Sequence, residues 1–389
     1  MKVLFVTSST TPYGGGSKSF LQMVKGVLSY GVNPLIVFPD NNGLFKIMQQ
    51  EGIPCVALRY PYRMSIYPPT TSLRDKIRFI PRLLYSLIIN NLATIQLLNI
   101  TKKFKPDIIH TNVSVTTIGY YIARLLKIPH IWHIREYADL DFNMHYYPFK
   151  KIQQRRYKQP HSYTICITKD IQKHHMLSGW DNSKVIYNGI YSENELFYQP
   201  NKKSYFLFAG RIEHAKGVIP LIDAYAEYCK KNDSPIPLHI AGNGSAQYKK
   251  LIQEKIEEHN INKYVFLLGM RDDILSLYKE ARAIIVPSIS EAFGRITAEA
   301  MFAGCLVIGN DTAGTKEQFD IGKAITGDEI ALRYTTHEQL INHLLDVTNN
   351  PIKLYEPIIL RGRETAKQLY STEQHAKSVY EFYNKILSI

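Results

Sequence analysis

The stretch Ser290–Gly304, SEAFGRITAEAMFAG, decides how this chain is read. Just ahead of it, Ala283–Val286 (AIIV) is a short apolar run closed by Pro287, the pattern of a strand buried on both faces. The Ala-rich run beginning near Gly294 or Arg295 reads as a helix. Glu291 then falls in the loop at the carboxyl end of a parallel strand, and Glu299 falls within the helix eight residues later. Acids on a wet helix face serve solubility wherever they stand. These two bracket a turn at the end of the strand where open α/β sheets bind ligands.

Working outward, short apolar runs alternate with amphipathic stretches throughout, the signature of βα units and parallel sheets. Strands are expected at Val3–Thr7, Pro34–Phe38, Val56–Leu58, Ile108–Thr111, Ile131–Ile134 and Tyr163–Ile167. A second series is expected at Tyr205–Phe208, Leu238–Ala241, Val265–Leu268, Ala283–Val286 and Leu306–Gly309. Between them Tyr187–Ser204 is polar and turn-rich, with Asn188-Gly189 and Pro200, and reads as a linker. The expected fold class is α/β, with two doubly wound Rossmann-like domains facing a cleft. Residues 1–187 form the first domain, residues 188–370 the second, and 371–389 a closing amphipathic helix.

With 389 residues, 45% apolar and 21% charged, the composition is globular and large enough for two cores. Cys55, Cys166, Cys229 and Cys305 lie far apart without a CxxC pair, which fits a reducing cytosol and argues against a thiolate zinc site. KVLFV at the start is too short for a signal peptide, and Leu83–Ile89 is too short to span a bilayer, so a soluble cytoplasmic protein is expected. The net charge of +13 lies wholly in the first half. Residues 1–200 hold 24 Lys and Arg against 11 Asp and Glu, whereas the remainder is balanced at 23 each. Such asymmetry concerns partners rather than fold.

The second half carries further chemistry. Phe208-Ala209-Gly210-Arg211-Ile212 ends a strand, and Lys216-Gly217 follows in the same loop. Arg can fork onto two oxygens of a diphosphate while Lys supplies a point charge; the plain alternative is a pair of solvated loop cations. Ile240-Ala241-Gly242-Asn243-Gly244 is a weaker signal, since tight turns use glycine anyway. Backbone N–H groups of Phe293, Gly294 and Arg295 at a helix start suit an anion. Glu291 at the rim suits sugar hydroxyls, and Glu299 a ribose diol. Together these residues suit a nucleoside diphosphate carrying a sugar.

GRIxxxKG, the following Gly-x-Gly, Phe266–Gly269 (FLLG) and the E-x7-E block resemble retaining glycosyltransferases of family 4, which have the GT-B fold. The resemblance extends to Tyr13-Gly14-Gly15-Gly16, Lys105–His110 (KPDIIH), Trp132–Glu136 (WHIRE) and Val185–Ile190 (VIYNGI). It implies that Arg211 and Lys216 hold the donor diphosphate, Glu299 binds the ribose, and Glu291 meets the transferred sugar beside the amides of Ala292, Phe293 and Gly294. Gly210 and Arg295 stand within the same blocks. His133 would reach the sugar from the first domain, and Gly15 and Gly16 would approach the phosphates or acceptor. It further implies an acceptor-binding first domain, a donor-binding second domain, and a last helix returning to the first. No cofactor and no metal are implied, because cations and a helix start can stabilise the leaving diphosphate. The family commonly has an acid after the Asn-Gly-Ile turn; here Tyr191 follows.

Other readings fare less well. Asp139-Leu140-Asp141 is a lone DxD in a polar loop, distant in sequence from Arg211 and Glu291. Ser17 between Gly16 and Lys18 breaks a P-loop. An NAD-binding oxidoreductase would explain Gly14, Gly16 and Asp40 but lacks the third glycine and leaves the second half unused. A GT-B epimerase shares the fold, and a phosphorylase would need a pyridoxal lysine. Nucleic acid is not expected, because Arg155-Arg156-Tyr157-Lys158 lies in no recognised motif. The basic runs Arg74–Arg82 and Lys150–Lys158, interleaved with apolar residues, suggest an anionic membrane surface and a glycan or lipid-linked acceptor. The alternative is two helices with wet basic faces.

Overall fold

The computed structural model describes residues 1–60, 65–66, 73–142 and 144–388. The chain divides into two compact units, one of Met1–Gly189 with Thr372–Ile389, the other of Ile190–Ser371.

The first unit contains β1 (Lys2–Val6), β2 (Asn33–Phe38), β3 (Cys55–Ala57), β4 (Ser65–Ile66), β5 (Ile108–Thr111), β6 (His130–Ile134), β7 (His145–Tyr146), β8 (Ser162–Cys166) and β9 (Ser183–Val185). Seven of these form a sheet ordered β3-β2-β1-β5-β6-β8-β9, parallel throughout, while β4 and β7 pair antiparallel. Chain order reverses between β1 and β5, so the ligand crevice expected of such a sheet lies beyond their carboxyl ends. Helices cover both faces, which is why β5, β6 and β8 are buried along their whole length. The helix Thr372–Leu387 contributes Val379, Phe382, Tyr383 and Ile386 to the same core as Phe5, Phe20 and Val24. The chain thus ends inside the unit where it began.

The second unit contains β10 (Phe206–Ala209), β11 (Leu238–Ala241), β12 (Val265–Gly269), β13 (Ala283–Val286), β14 (Leu306–Asn310) and β15 (Leu332–Tyr334). They form one parallel sheet ordered β12-β11-β10-β13-β14-β15. Here the order reverses between β10 and β13, and the loops after these two strands hold the residues singled out in the sequence.

One expectation needs correcting. The apolar run Leu83–Ile89, expected to be too short to span a bilayer, continues the basic run Arg74–Arg82 in one helix, Leu73–Phe104, which carries Pro81 within it and is long and apolar enough to cross a membrane. Near the second basic run, Met144 and Tyr146 are core residues, leaving Phe142 and Phe149 exposed. Lys150 there is paired with Asp139 at 2.7 Å.

Candidate active site

The loop Gly210–Gly217 leaves β10 and is locked to its neighbours by the backbone. Gly210 N donates to Ala241 O at 3.0 Å, Ile212 N to Asn243 O at 2.8 Å, and Ile289 N to Ala215 O at 3.0 Å. Gly217 permits this packing. Its φ is +67°, and a Cβ there would sit 2.0 Å from Pro287 O, so any larger residue would separate the β10 and β13 loops. The lock fixes Lys216 beside Glu291. Lys216 Nζ donates to Glu291 Oε1 at 2.5 Å, Ser288 Oγ donates to the same oxygen at 3.0 Å, and both members of the ion pair are 13% exposed. Arg211 behaves differently. Its side chain is 63% exposed and reaches Glu213 at 3.0 Å.

The opening stretch folds as its pattern suggests, with a helix over Arg295–Phe302 and Gly294 as N-cap in the left-handed region at φ +83°, where a side chain would be strained. The turn before it is tied back by Gln318, whose Nε2 donates to Phe293 O and, at 3.0 Å, to Gly294 O. Carbonyl and following N–H point oppositely across a trans peptide, so the amides of Gly294 and Arg295 face away from Gln318. Gly314 N holds Glu291 O at 2.9 Å from the next loop. Within the helix, Glu299 accepts from Arg295 Nε at 3.0 Å and Tyr278 Oη at 3.1 Å, both oxygens being used. Ala292 and Phe293 lie on the turn, Phe293 buried with its ring edge-on to Tyr370 at 5.5 Å. Arg211, Lys216 and Glu291 therefore lie on adjacent loops at one switch point, with Glu299 in the helix that follows the second loop. The sequence missed Gln318, Ser288 and Tyr278, whose roles depend on contacts made only in three dimensions.

In the first unit Gly15 and Gly16 open the helix Gly15–Leu28 directly after the β1 loop. Arg135 lies near Gly16, where a Cβ would come within 3.9 Å of Arg135 Cδ. Arg135 donates to Asn112 Oδ1 at 2.8 Å, to Asn188 Oδ1, and to His133 Nδ1 at 3.4 Å. His133 is fully buried. Its Nδ1 also lies 3.1 Å from His110 Nε2, and His110 Nδ1 lies 2.6 Å from Tyr383 Oη. Arginine only donates, so His133 Nδ1 accepts; His110 then carries its proton on Nε2 and accepts the Tyr383 hydroxyl on Nδ1. That order leaves a donor N–H on His133 Nε2, which has no hydrogen-bond partner among the described residues. Burial, with Arg135 and the neighbouring histidines adding to it, holds both imidazoles well below their usual range, so both are neutral near pH 7. The polar chain linking β5, β6 and the last helix was not legible in the sequence, although His110, His133 and Arg135 each stood in a noted motif.

The DxD has other work. Asp139 pairs with Lys150 and with His174, and Asp141 accepts the backbone N–H groups of Tyr137 and Ala138 at 3.0 and 2.8 Å. Among the described residues no group of three or more His, Cys, Asp or Glu is placed to hold a metal ion.

Two parallel α/β units, the second presenting lysine, arginine and paired acids at its switch point, define a glycosyltransferase of the GT-B type. The profile of Glycosyltransferase Family 4 matches residues 13–194 and that of Glycosyl transferases group 1 matches residues 195–365, and the chain belongs to this family. An uncharacterised glycosyltransferase of Methanocaldococcus jannaschii is 26% identical over 74% of this chain and 78% of its own. The UDP-Gal:alpha-D-GlcNAc-diphosphoundecaprenol alpha-1,3-galactosyltransferase of Escherichia coli is 25% identical over 73% of this chain and 78% of its own. Among solved structures, Anabaena HepE in complex with UDP superposes with a TM-score of 0.75 at 19% identity, covering 99% of this chain and all of that one.

Proposed function

We propose that this enzyme transfers a sugar, with retention of anomeric configuration, from a uridine diphosphate sugar to a glycan or lipid-linked saccharide in the cytoplasm, as a step in bacterial surface polysaccharide synthesis. The observation that carries the proposal is the Lys216–Glu291 pair at the β10/β13 switch point, with Arg211 on the same loop as Lys216. Breaking the bond from the anomeric carbon sends its electron pair to the diphosphate. Lys216 and Arg211 supply fixed positive charge where that negative charge develops, and the start of the helix Arg295–Phe302 adds its dipole. Glu291 receives hydroxyls of the transferred sugar, and Glu299 the ribose diol. From the first unit, the resemblance assigns His133 to the sugar, and Gly15 and Gly16 to phosphate or acceptor.

The uridine base is favoured by the names of the Escherichia coli relative and of the Anabaena complex, and the lipid-linked acceptor by the former. Retention rests on the resemblance in the E-x7-E block. The chemistry needs no metal and no cofactor beyond the donor. Thermal shift with uridine, guanosine and adenosine diphosphates and their sugars tests the donor site. A diphosphate at about a hundred times its dissociation constant should stabilise the fold by about 2.7 kcal/mol. Turnover should persist in EDTA. Absence of any nucleotide-dependent shift, or activity restored solely by a divalent ion, would overturn the respective part.

A further inference from the structure

The helix Leu73–Phe104 has two apolar faces, and the protein covers one of them. Its 32 residues extend about 48 Å at 1.5 Å per residue. Ala93, Leu97 and Thr101 face inward, the first two packing with Leu4, Val6, Ile109, Ile118 and Ile122. Among the described residues none on the helix before Asn90 is buried. On the outer side Leu73, Ile77, Ile80, Leu84, Ile88 and Leu92 follow one another at steps of three or four residues and are 52–73% exposed. At 100° per residue these six fall within a sector about 120° wide, roughly opposite the buried face. Isolated exposed leucines are ordinary, but a continuous aliphatic ridge along six turns is not.

The charges around the ridge define what covers it. Arg74 and Lys76 stand on its two flanks, Arg78 just beyond Arg74, and all three are exposed. The helix contains six cations, the others being Arg82, Lys102 and Lys103, against a single acid, Asp75. Pairing this ridge with that of a second copy would bring cations against cations. The complementary surface is anionic and apolar at once. We propose that the ridge is an interfacial helix that seats the enzyme on an anionic lipid bilayer, with the aliphatic side chains in the headgroup boundary and the flanking cations on lipid phosphates.

From Lys76 to Phe104 the helix is also long and apolar enough to cross a bilayer. Spanning would pull Ala93, Leu97 and Thr101 out of the first unit's core, whereas lying flat leaves that core intact. Tyr85, half exposed and bonded to Arg59 at 3.1 Å, has the ring-and-hydroxyl character of a side chain at a membrane–water boundary. The proposal gives the enzyme a partner beyond its sugars and stands on the helix alone, so its failure would leave the sugar-transfer reading untouched.

Sedimentation of the full chain with vesicles, without donor or acceptor, tests it. Binding is expected to equimolar phosphatidylglycerol–phosphatidylcholine vesicles, weakening steeply with added salt, and to be far weaker on phosphatidylcholine alone. The combined variant Arg74→Gln, Lys76→Gln, Arg78→Gln should weaken binding about a hundredfold, each cation contributing about fivefold. Ile77→Asn, Ile80→Asn, Leu84→Asn should abolish it while leaving the melting temperature and donor binding unchanged, because these side chains are exposed. No binding to anionic vesicles at low salt, or equal binding to neutral ones, overturns the proposal. So does an oligomer that the Asn variant disperses in a protein that ignores lipid, which would assign the ridge to a second copy.

Discussion

Replacing Lys216 with Met removes the ammonium and keeps most of the aliphatic stem. Its Nζ lies 2.5 Å from Glu291 Oε1 and each side chain is 13% exposed, so the pair stands between two regimes. Exposed ion pairs contribute about 0–1 kcal/mol, while removing one partner of a fully buried pair costs about 3–5 kcal/mol. Ser288 Oγ still donates to Glu291 at 3.0 Å, which softens the loss, and we expect about 2 kcal/mol. Glu291→Gln alone should cost a similar amount by stranding the ammonium. The double variant should then lose less than the sum, with a coupling of about 1–2 kcal/mol. Activity follows a separate rule. If Lys216 meets charge that develops only as the diphosphate leaves, Lys216→Met lowers kcat about 10²-fold or more, with KM changing less. Urea unfolding of the four proteins and steady-state kinetics of the singles measure both. Additive destabilisation within about 0.5 kcal/mol together with an undiminished kcat would falsify the assignment of this pair to the site.

Glu299→Ala should weaken free nucleoside diphosphate and sugar donor alike, because the ribose is common to both, whereas Glu291→Ala should weaken the donor and spare the free nucleotide; calorimetric titration of both ligands decides, and equal losses in both variants would return these acids to structure. Tyr383→Phe removes the hydroxyl 2.6 Å from His110 Nδ1 and should cost about 1–2 kcal/mol. It should also let His133 populate its other tautomer, visible in imidazole 15N shifts; unchanged shifts would break the proposed relay. His110, His130, His133, His175 and His375 are all held below their ordinary range, chiefly by burial. The unfolded chain binds protons below about pH 6.5 that the native state refuses, so stability is full above that pH and falls as pH drops toward about 4. Glu136, pushed up to about 7 by burial, acts oppositely over the same range, but it is one group against five. A urea midpoint unchanged between about pH 7.5 and 5 would contradict this balance.

The parallel sheets were legible because strands buried on both faces are rich in apolar residues, as in AIIV at β13 and FLFA at β10. β9 (SKV) and β15 (LRY) were not, because each is a three-residue edge strand with a cation at its centre and so shows no apolar run. The candidate site's residues could be named from the sequence, but not the contacts among them. Lys216 and Glu291 were both named, yet their contact spans 75 residues and depends on Gly217 allowing two loops to touch. Gln318 has no local signal at all, and the His110–Tyr383 bond joins residues 273 apart. Pro81 and the basic residues around it divided the long helix into two apparent segments, which hid the continuous outer ridge.

The most direct test supplies a panel of nucleotide sugars, labelled with 13C at the anomeric carbon, together with a saccharide acceptor, and follows nucleoside diphosphate release and the anomeric signal of the product. One uridine diphosphate sugar should release its diphosphate and give a linkage of unchanged anomeric configuration, and Lys216→Met should suppress both. A folded protein that releases diphosphate from none of the donors would contradict the account, and a product of inverted configuration would contradict its retaining course.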